Sequence, residues 1–364
     1  MSSLTTPIQR IVALDGVRGI ATLMVLTSHF LFADLYGQRQ WWPVVQAGWI
    51  GVDLFFVLSG FLITGILLGK KGRPDYFKDF YRRRVLRIFP LYYFSVLLSA
   101  LVVLLIDRQP EHLNDGYNSL GWYLAFIPNF AIAWSNTWVW QTNWIGLAHL
   151  WSLAVEEQFY ILWPLIVLLL PRRALAVLCI VLVWASPHLR EHTEMVFGEN
   201  NLAVYVLPYC RMDGLALGSL LGILNASGWL TFKGWQKDIA RDLAVSAGFV
   251  FLYILISIES HWRDTAISLM FFGVVYMALT PGTTVRRVCE KPFFRHIGQY
   301  SYAMYVFHQM FRVSFEDFLK KPLLSTGGPV WLIQIIYMVL CIAITYLLAR
   351  ISWRYLEERF IKMK

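Results

Sequence analysis

The chain has 364 residues, of which 57% are hydrophobic and only 15% charged, with a mean hydropathy of +0.53. That balance excludes a soluble domain of this size. The net charge of +9 sits mainly in short links between apolar runs, so it reads as membrane flanking rather than as a nucleic-acid face.

Apolar runs long enough to cross a bilayer as helices predict about ten spans, the first at 13–35 and the second at 49–69. Span one carries Asp15 and Arg18 near one end and His29 toward the other. The Arg18 to His29 interval is close to three whole turns, which puts both on one face about 16.5 Å apart along the axis. Ionisable residues are costly in hydrocarbon and mark working sites. Asp53 lies about one turn inside span two. The basic link at 70–88 follows, holding Lys70, Lys71, Arg73, Lys78, Arg82, Arg83, Arg84 and Arg87. Arg84 and Arg87 share one side of an expected interfacial helix, where guanidiniums suit either phosphate recognition or anionic lipid.

Span three is expected at 89–106, and beyond it the segment 107–149 is rich in tryptophan, with Trp122, Trp134, Trp138, Trp140 and Trp144, as the outer membrane interface would be. Span four, 149–170, opens with Trp151 and carries the stripe His149, Ser152 and Glu156, with Glu157 beside it. Spans five and six are expected at 174–188 and 203–225, the latter carrying Arg211 and Asp213. Spans at 241–258 and 264–280 lead to span nine, 297–317, with Ser301, Tyr305, His308 and Arg312 on one face. Span ten is expected at 330–350.

The basic residues of 70–88, of Arg172 and Arg173, of Lys233, Lys237 and Arg241, of Arg286, Arg287, Lys291 and Arg295, and of the tail alternate onto one side, whereas the opposite link after span three has only Arg108. The positive-inside rule therefore predicts both termini in the cytoplasm. The fold class expected is an all-α polytopic membrane protein in which 1–364 forms a single transmembrane domain. The first apolar run lacks a cleavage site and is read as a retained anchor. The four cysteines have no paired spacing and are read as packing residues, and no compact metal-ligand motif is present. Phosphate chemistry at the cytoplasmic mouth with an ionisable cluster nearer the far side suits either a transport pathway or a transmembrane transfer enzyme.

Six motifs then carry a resemblance: LDGVRG with His29, GVDLFFVLSGFLI at 51–63, RRRVLRIFP at 82–90, WSLAVEEQFY at 151–160, RMDGLALG at 211–218 and IGQYSYAMYVFH at 297–308. In this order and over the whole length, the chain resembles acyltransferase family 3. That resemblance implies ten-helix membrane enzymes that use cytoplasmic acyl-CoA to acylate sugars, surface polysaccharides, lipids or antibiotics. Where many members end in I-E-x-P this chain reads YLEERF, so Glu357 matches and Arg359 stands at the proline position.

The resemblance implies an O-acyltransferase in which Arg84 and Arg87, with Arg18 just inside, bind acyl-CoA, acetyl-CoA above all. His29 is the expected general base, with Asp53, Glu156 and Glu157 as carboxylates to orient it. Arg211, Asp213, Tyr305, His308 and Trp151 are the expected acceptor side, for a cell-surface glycan, a lipid-linked sugar or another hydroxylated acceptor. Neither a metal nor nucleic acid is expected. A multi-pass place in a cell membrane, the bacterial inner membrane above all, follows, with membrane lipid as a partner and a homo-oligomer left open. The alternative is a proton-coupled transporter of a polar or anionic solute, which would use intramembrane His, Glu and Arg but has no need of the arginine ladder.

Overall fold

A computed structural model describes residues 11–31, 43–106, 118–228, 248 and 260–363. The principal helices in chain order are α1 (Val12–His29), α2 (Gly51–Lys70), α3 (Tyr76–Leu105), α4 (Trp151–Leu169), α5 (Arg172–Phe197), α6 (Met212–Ala226), α7 (Arg263–Leu279), α8 (Pro292–Met310) and α9 (Val330–Ser352). Short helical turns link several of them, and no β-strand is present among the described residues. The expected span at 241–258, with Arg241 and the nearby Lys233 and Lys237, lies outside the described residues apart from Gly248, as do Trp41, Trp42 and Arg108.

Five helical stretches among the described residues are long and apolar enough to cross a membrane: Ala47–Lys70, Tyr76–Leu105, Ala148–Leu169, Arg172–Phe197 and Val330–Ile361. The other expected spans that fall on described residues form helices outside that group. Asp15, Arg18 and His29 dilute the apolar run of α1, Arg295, His296 and His308 dilute that of α8, and α6 and α7 are shorter.

Three elements differ from their sequence expectation. The basic link from Tyr76 onward and span three form one 30-residue helix, α3, in which Pro90 sits mid-helix. Proline forfeits one backbone bond there, and the nearby Ile88 carbonyl accepts the Tyr302 hydroxyl at 2.7 Å. The run expected at 203–225 is broken before α6, because Pro208 forces Leu207 to extended backbone, φ −73° and ψ 140°. The run expected at 174–188 continues to Phe197, carrying Arg190 inside α5.

The chain packs as two compact units, each assembled from three stretches. The first comprises 1–21, 52–80 and 155–298. There α2 and α6 approach closely enough that a Cβ at Gly60 would collide with the Leu215 carbonyl and one at Gly218 with that of Val57. Small residues at such crossings are what membrane helices use in place of a hydrophobic driving force. The second unit comprises 22–51, 81–154 and 299–364. Its interior is aromatic: Phe30 meets Phe315 and Tyr337 edge-on, and Tyr92 stacks on Phe126 at 3.8 Å.

Candidate functional site

In the second unit three histidines converge. Thr27 and Ser28 turn their hydroxyls back onto carbonyls of α1, and the helix ends at His29. Such back-bonding by Ser and Thr weakens a helix locally. His29 Nδ1 lies 2.8 Å from His308 Nε2, with the two ring planes parallel within 4°. His308, fully buried in the last turn of α8, places its own Nδ1 2.5 Å from the Tyr305 carbonyl oxygen. His149 meets the His308 ring edge-on at 5.4 Å, and its Nε2 lies 3.0 Å from the Val306 carbonyl oxygen. Its Nδ1 is buried without a hydrogen-bond partner among the described residues.

Tyr305 and Ser152 complete the cluster through hydroxyls 2.6 Å apart. Gln334 of α9 donates to the Phe30 carbonyl at 3.0 Å, satisfying one of the open acceptors at the end of α1. Nearby, Arg312 pairs with Glu316 at 3.2 Å at the start of a π-helical turn, Glu316–Lys320. Among the described residues no group of three His, Cys, Asp or Glu side chains has the arrangement to hold a metal ion.

The first unit buries a charge network. Pro208 breaks the chain so that Arg211 stands at the head of α6, where its Nη2 donates to Asp53 at 2.5 Å and its Nη1 to Asp264 at 2.6 Å. Tyr205 and Phe56 cover the guanidinium faces at 5.1 and 5.8 Å. Arg190 donates two bonds of 3.0 Å to Asp213, which also receives the Thr265 hydroxyl at 2.6 Å. Arg263 lies 3.8 Å from Asp264, so three guanidiniums face three carboxylates. The Asp53 Oδ2 and Arg211 Nε atoms stay buried without partners among the described residues.

Of the remaining expected site residues, Glu156 accepts the Tyr160 hydroxyl at 3.0 Å, and Tyr160 in turn meets Ser59. Glu157 and Trp151 are buried. Arg18 pairs with Asp15 at 3.6 Å. In the second unit Arg84 has its Nε buried, Arg87 acts electrostatically on Glu357, and Glu357 accepts the Ser352 hydroxyl at 3.0 Å. The structure thus brings His29 together with His308 and Tyr305, Asp53 with Arg211, and Arg18 with Asp15.

Sequence reasoning did not select His149, Arg190, Asp264 or Gln334. His149 was visible in its polar stripe. Arg190 lay just past the expected end of an apolar run, among Glu191, His192 and Glu194, whose polarity hid it.

Fold and polar clusters together define a helical, multi-pass membrane protein with ionisable groups built into its interior. The chain belongs to acyltransferase family 3, whose model, described as an acyltransferase domain, matches residues 11–350. It is 27% identical over 370 residues to YrhL of Bacillus subtilis (strain 168), provisionally named a peptidoglycan O-acetyltransferase, covering 95% of this chain and 54% of that one. It is 28% identical over 375 residues to the O-acetyltransferase OatA of Staphylococcus aureus (strain NCTC 8325 / PS 47), covering 94% of this chain and 56% of that one. The chain therefore spans little more than half the length of these relatives. No solved structure matches it.

Proposed function

We propose that the protein is a membrane O-acetyltransferase that moves an acetyl group from cytoplasmic acetyl-CoA to a hydroxyl of a cell-surface glycan or lipid-linked sugar, with His29 as general base. One observation carries this reading. His29 is an imidazole at the end of α1, half-buried, held through one nitrogen by His308 and through the other bonded to no described residue. Family membership and relatives named as O-acetyltransferases support the reaction class, and the name of the Bacillus relative favours a peptidoglycan-type acceptor.

In this reading the free nitrogen of His29 takes the proton of the acceptor hydroxyl as its oxygen attacks the thioester carbonyl. The carbon–sulfur bond breaks, and the departing CoA thiolate recovers that proton from the imidazolium. Because His29 lies in the last turn of α1, the partial negative charge of the helix end favours the transient cation. Arg84, Arg87 and Arg18 bind the nucleotide phosphates of the donor as charge-assisted hydrogen-bond donors. Tyr305 and Trp151 belong to the acceptor side, with Glu156 and Glu157 as further polar groups of α4. Arg211 and Asp213, with Asp53, fasten the first unit, since their charges are already engaged by one another and by Arg190 and Asp264. The bundle has ten spans with both termini in the cytoplasm of a bacterial inner membrane.

The test uses the purified full chain in detergent, radiolabelled acetyl-CoA and peptidoglycan-derived oligosaccharides, reading CoA release and acetylated product. The His29→Ala variant should lose turnover by about 100-fold or more. Arg18→Ala and Arg84→Ala should each raise the KM for acetyl-CoA by about tenfold, the loss of about 1.4 kcal/mol of binding. Wild-type turnover in His29→Ala would remove the histidine from the reaction.

A further inference from the structure

Each bond in the histidine chain has a direction, and the directions follow from one acceptor. The Tyr305 carbonyl oxygen only accepts, so the His308 nitrogen 2.5 Å from it, Nδ1, carries a proton. A neutral imidazole has one N–H, which leaves His308 Nε2 with a lone pair. The 2.8 Å contact to His29 Nδ1 is then a bond in which His29 donates and His308 accepts. His29 consequently holds its lone pair at Nε2. The ring centroids are 5.1 Å apart while the two nitrogens are 2.8 Å apart, so the N···N axis runs along both rings, as an N–H···N bond needs.

The opposite polarity would need His308 as an imidazolium, donating from both nitrogens. His308 is fully buried, no described carboxylate bonds either ring, and the Arg312 cation already acts on His29. An unpaired buried charge in that setting is strongly disfavoured. His149 adds no positive charge from the other flank, because its Nε2 must donate to the acceptor-only Val306 carbonyl and its sealed Nδ1 bears the lone pair.

From this we infer that His308 is a positioning residue, one that fixes His29 in its Nδ1–H tautomer and so makes Nε2 the proton-accepting atom. The inference rests on His29 being the general base and adds what selects the nitrogen. It also says where the proton stops. When Nε2 is protonated, the Nδ1–H bond to His308 becomes charge-assisted and stronger. Passing a proton to His308 Nε2 would create the buried, unpaired imidazolium already disfavoured, and His308 Nδ1–H ends on a backbone carbonyl, so the chain goes no further. The proton therefore stays on His29, available to the leaving thiolate.

The experiment compares wild type, His29→Ala, His308→Gln and His308→Leu, each labelled with 15N-histidine in detergent near neutral pH. Resonances absent from His29→Ala identify His29, and in wild type they should show protonated Nδ1 and unprotonated Nε2. The reverse pattern overturns the inference without recourse to any His308 variant. A glutamine side chain keeps an acceptor for His29 and a donor for the Tyr305 carbonyl, so His308→Gln should retain CoA release within about tenfold. His308→Leu should lose about 100-fold in kcat at unchanged KM for acetyl-CoA, with His29 distributed over both tautomers. Equal losses in the Gln and Leu variants, or a wild-type rate and tautomer in His308→Leu, would each overturn it. A wild-type rate in His29→Ala would instead defeat the general-base reading, leaving the tautomer measurement to stand on its own.

Discussion

Arg190 shows how much a single buried charge depends on its company. Its guanidinium donates to Asp213, Thr265 and the carbonyls of Cys210 and His261, so no part of the fork is idle. Removing only the arginine strands the Asp213 carboxylate in the interior. Arg190→Met should therefore destabilise the protein by about 3–5 kcal/mol, seen as a lowered midpoint of thermal unfolding in detergent. Adding Asp213→Leu should recover part of the loss, since an apolar pair of similar volume replaces a buried ion pair at little net cost. A double variant no more stable than the single one would mean that the pair does more than neutralise itself.

At the scale of elements, the end of α1 is set by what packs on it. Gln334 of α9 holds the Phe30 carbonyl one residue beyond His29, so α9 tethers the turn that presents the imidazole. Gln334→Leu should cost about 1 kcal/mol of stability. It should lower kcat with little change in the KM for acetyl-CoA, because the proposed reading gives the donor phosphates to Arg18, Arg84 and Arg87. Equal effects on both constants would place Gln334 in donor binding.

The same elements show what a single chain discloses. Helical class and the polar stripes of α4 and α8 were legible, because each depends on composition and on a period of 3.6 residues. Pairings were not. His29 and His308 are 279 residues apart, and Arg211 and Asp53 are 158 apart. Nothing local names such partners, so the carboxylates expected beside His29 were chosen by depth alone. Element ends failed where a local rule competed with the apolar pattern, as at Pro208, which breaks a run, and at Pro90, which does not.

For the molecule as a whole, the sidedness of the bundle is the property on which the proposed transfer from donor to acceptor depends. All four cysteines are free and buried, which makes the wild type a quiet background for thiol labelling. Cys289, in the short helix between α7 and α8, is the one expected outside the membrane, and burial pushes its thiol up to about 11. A raised thiol holds less thiolate at any pH below that value, so a maleimide should react with Cys289 slowly even at mildly alkaline pH. Single cysteines at Lys78 and Trp138 then report the two faces. Lys78→Cys should be labelled in inside-out vesicles and protected in right-side-out ones, as the positive-inside reading of 70–88 requires, and Trp138→Cys should show the reverse. Labelling of both from the same face would refute the alternation on which the topology rests, and with it a route from a cytoplasmic donor to an external acceptor.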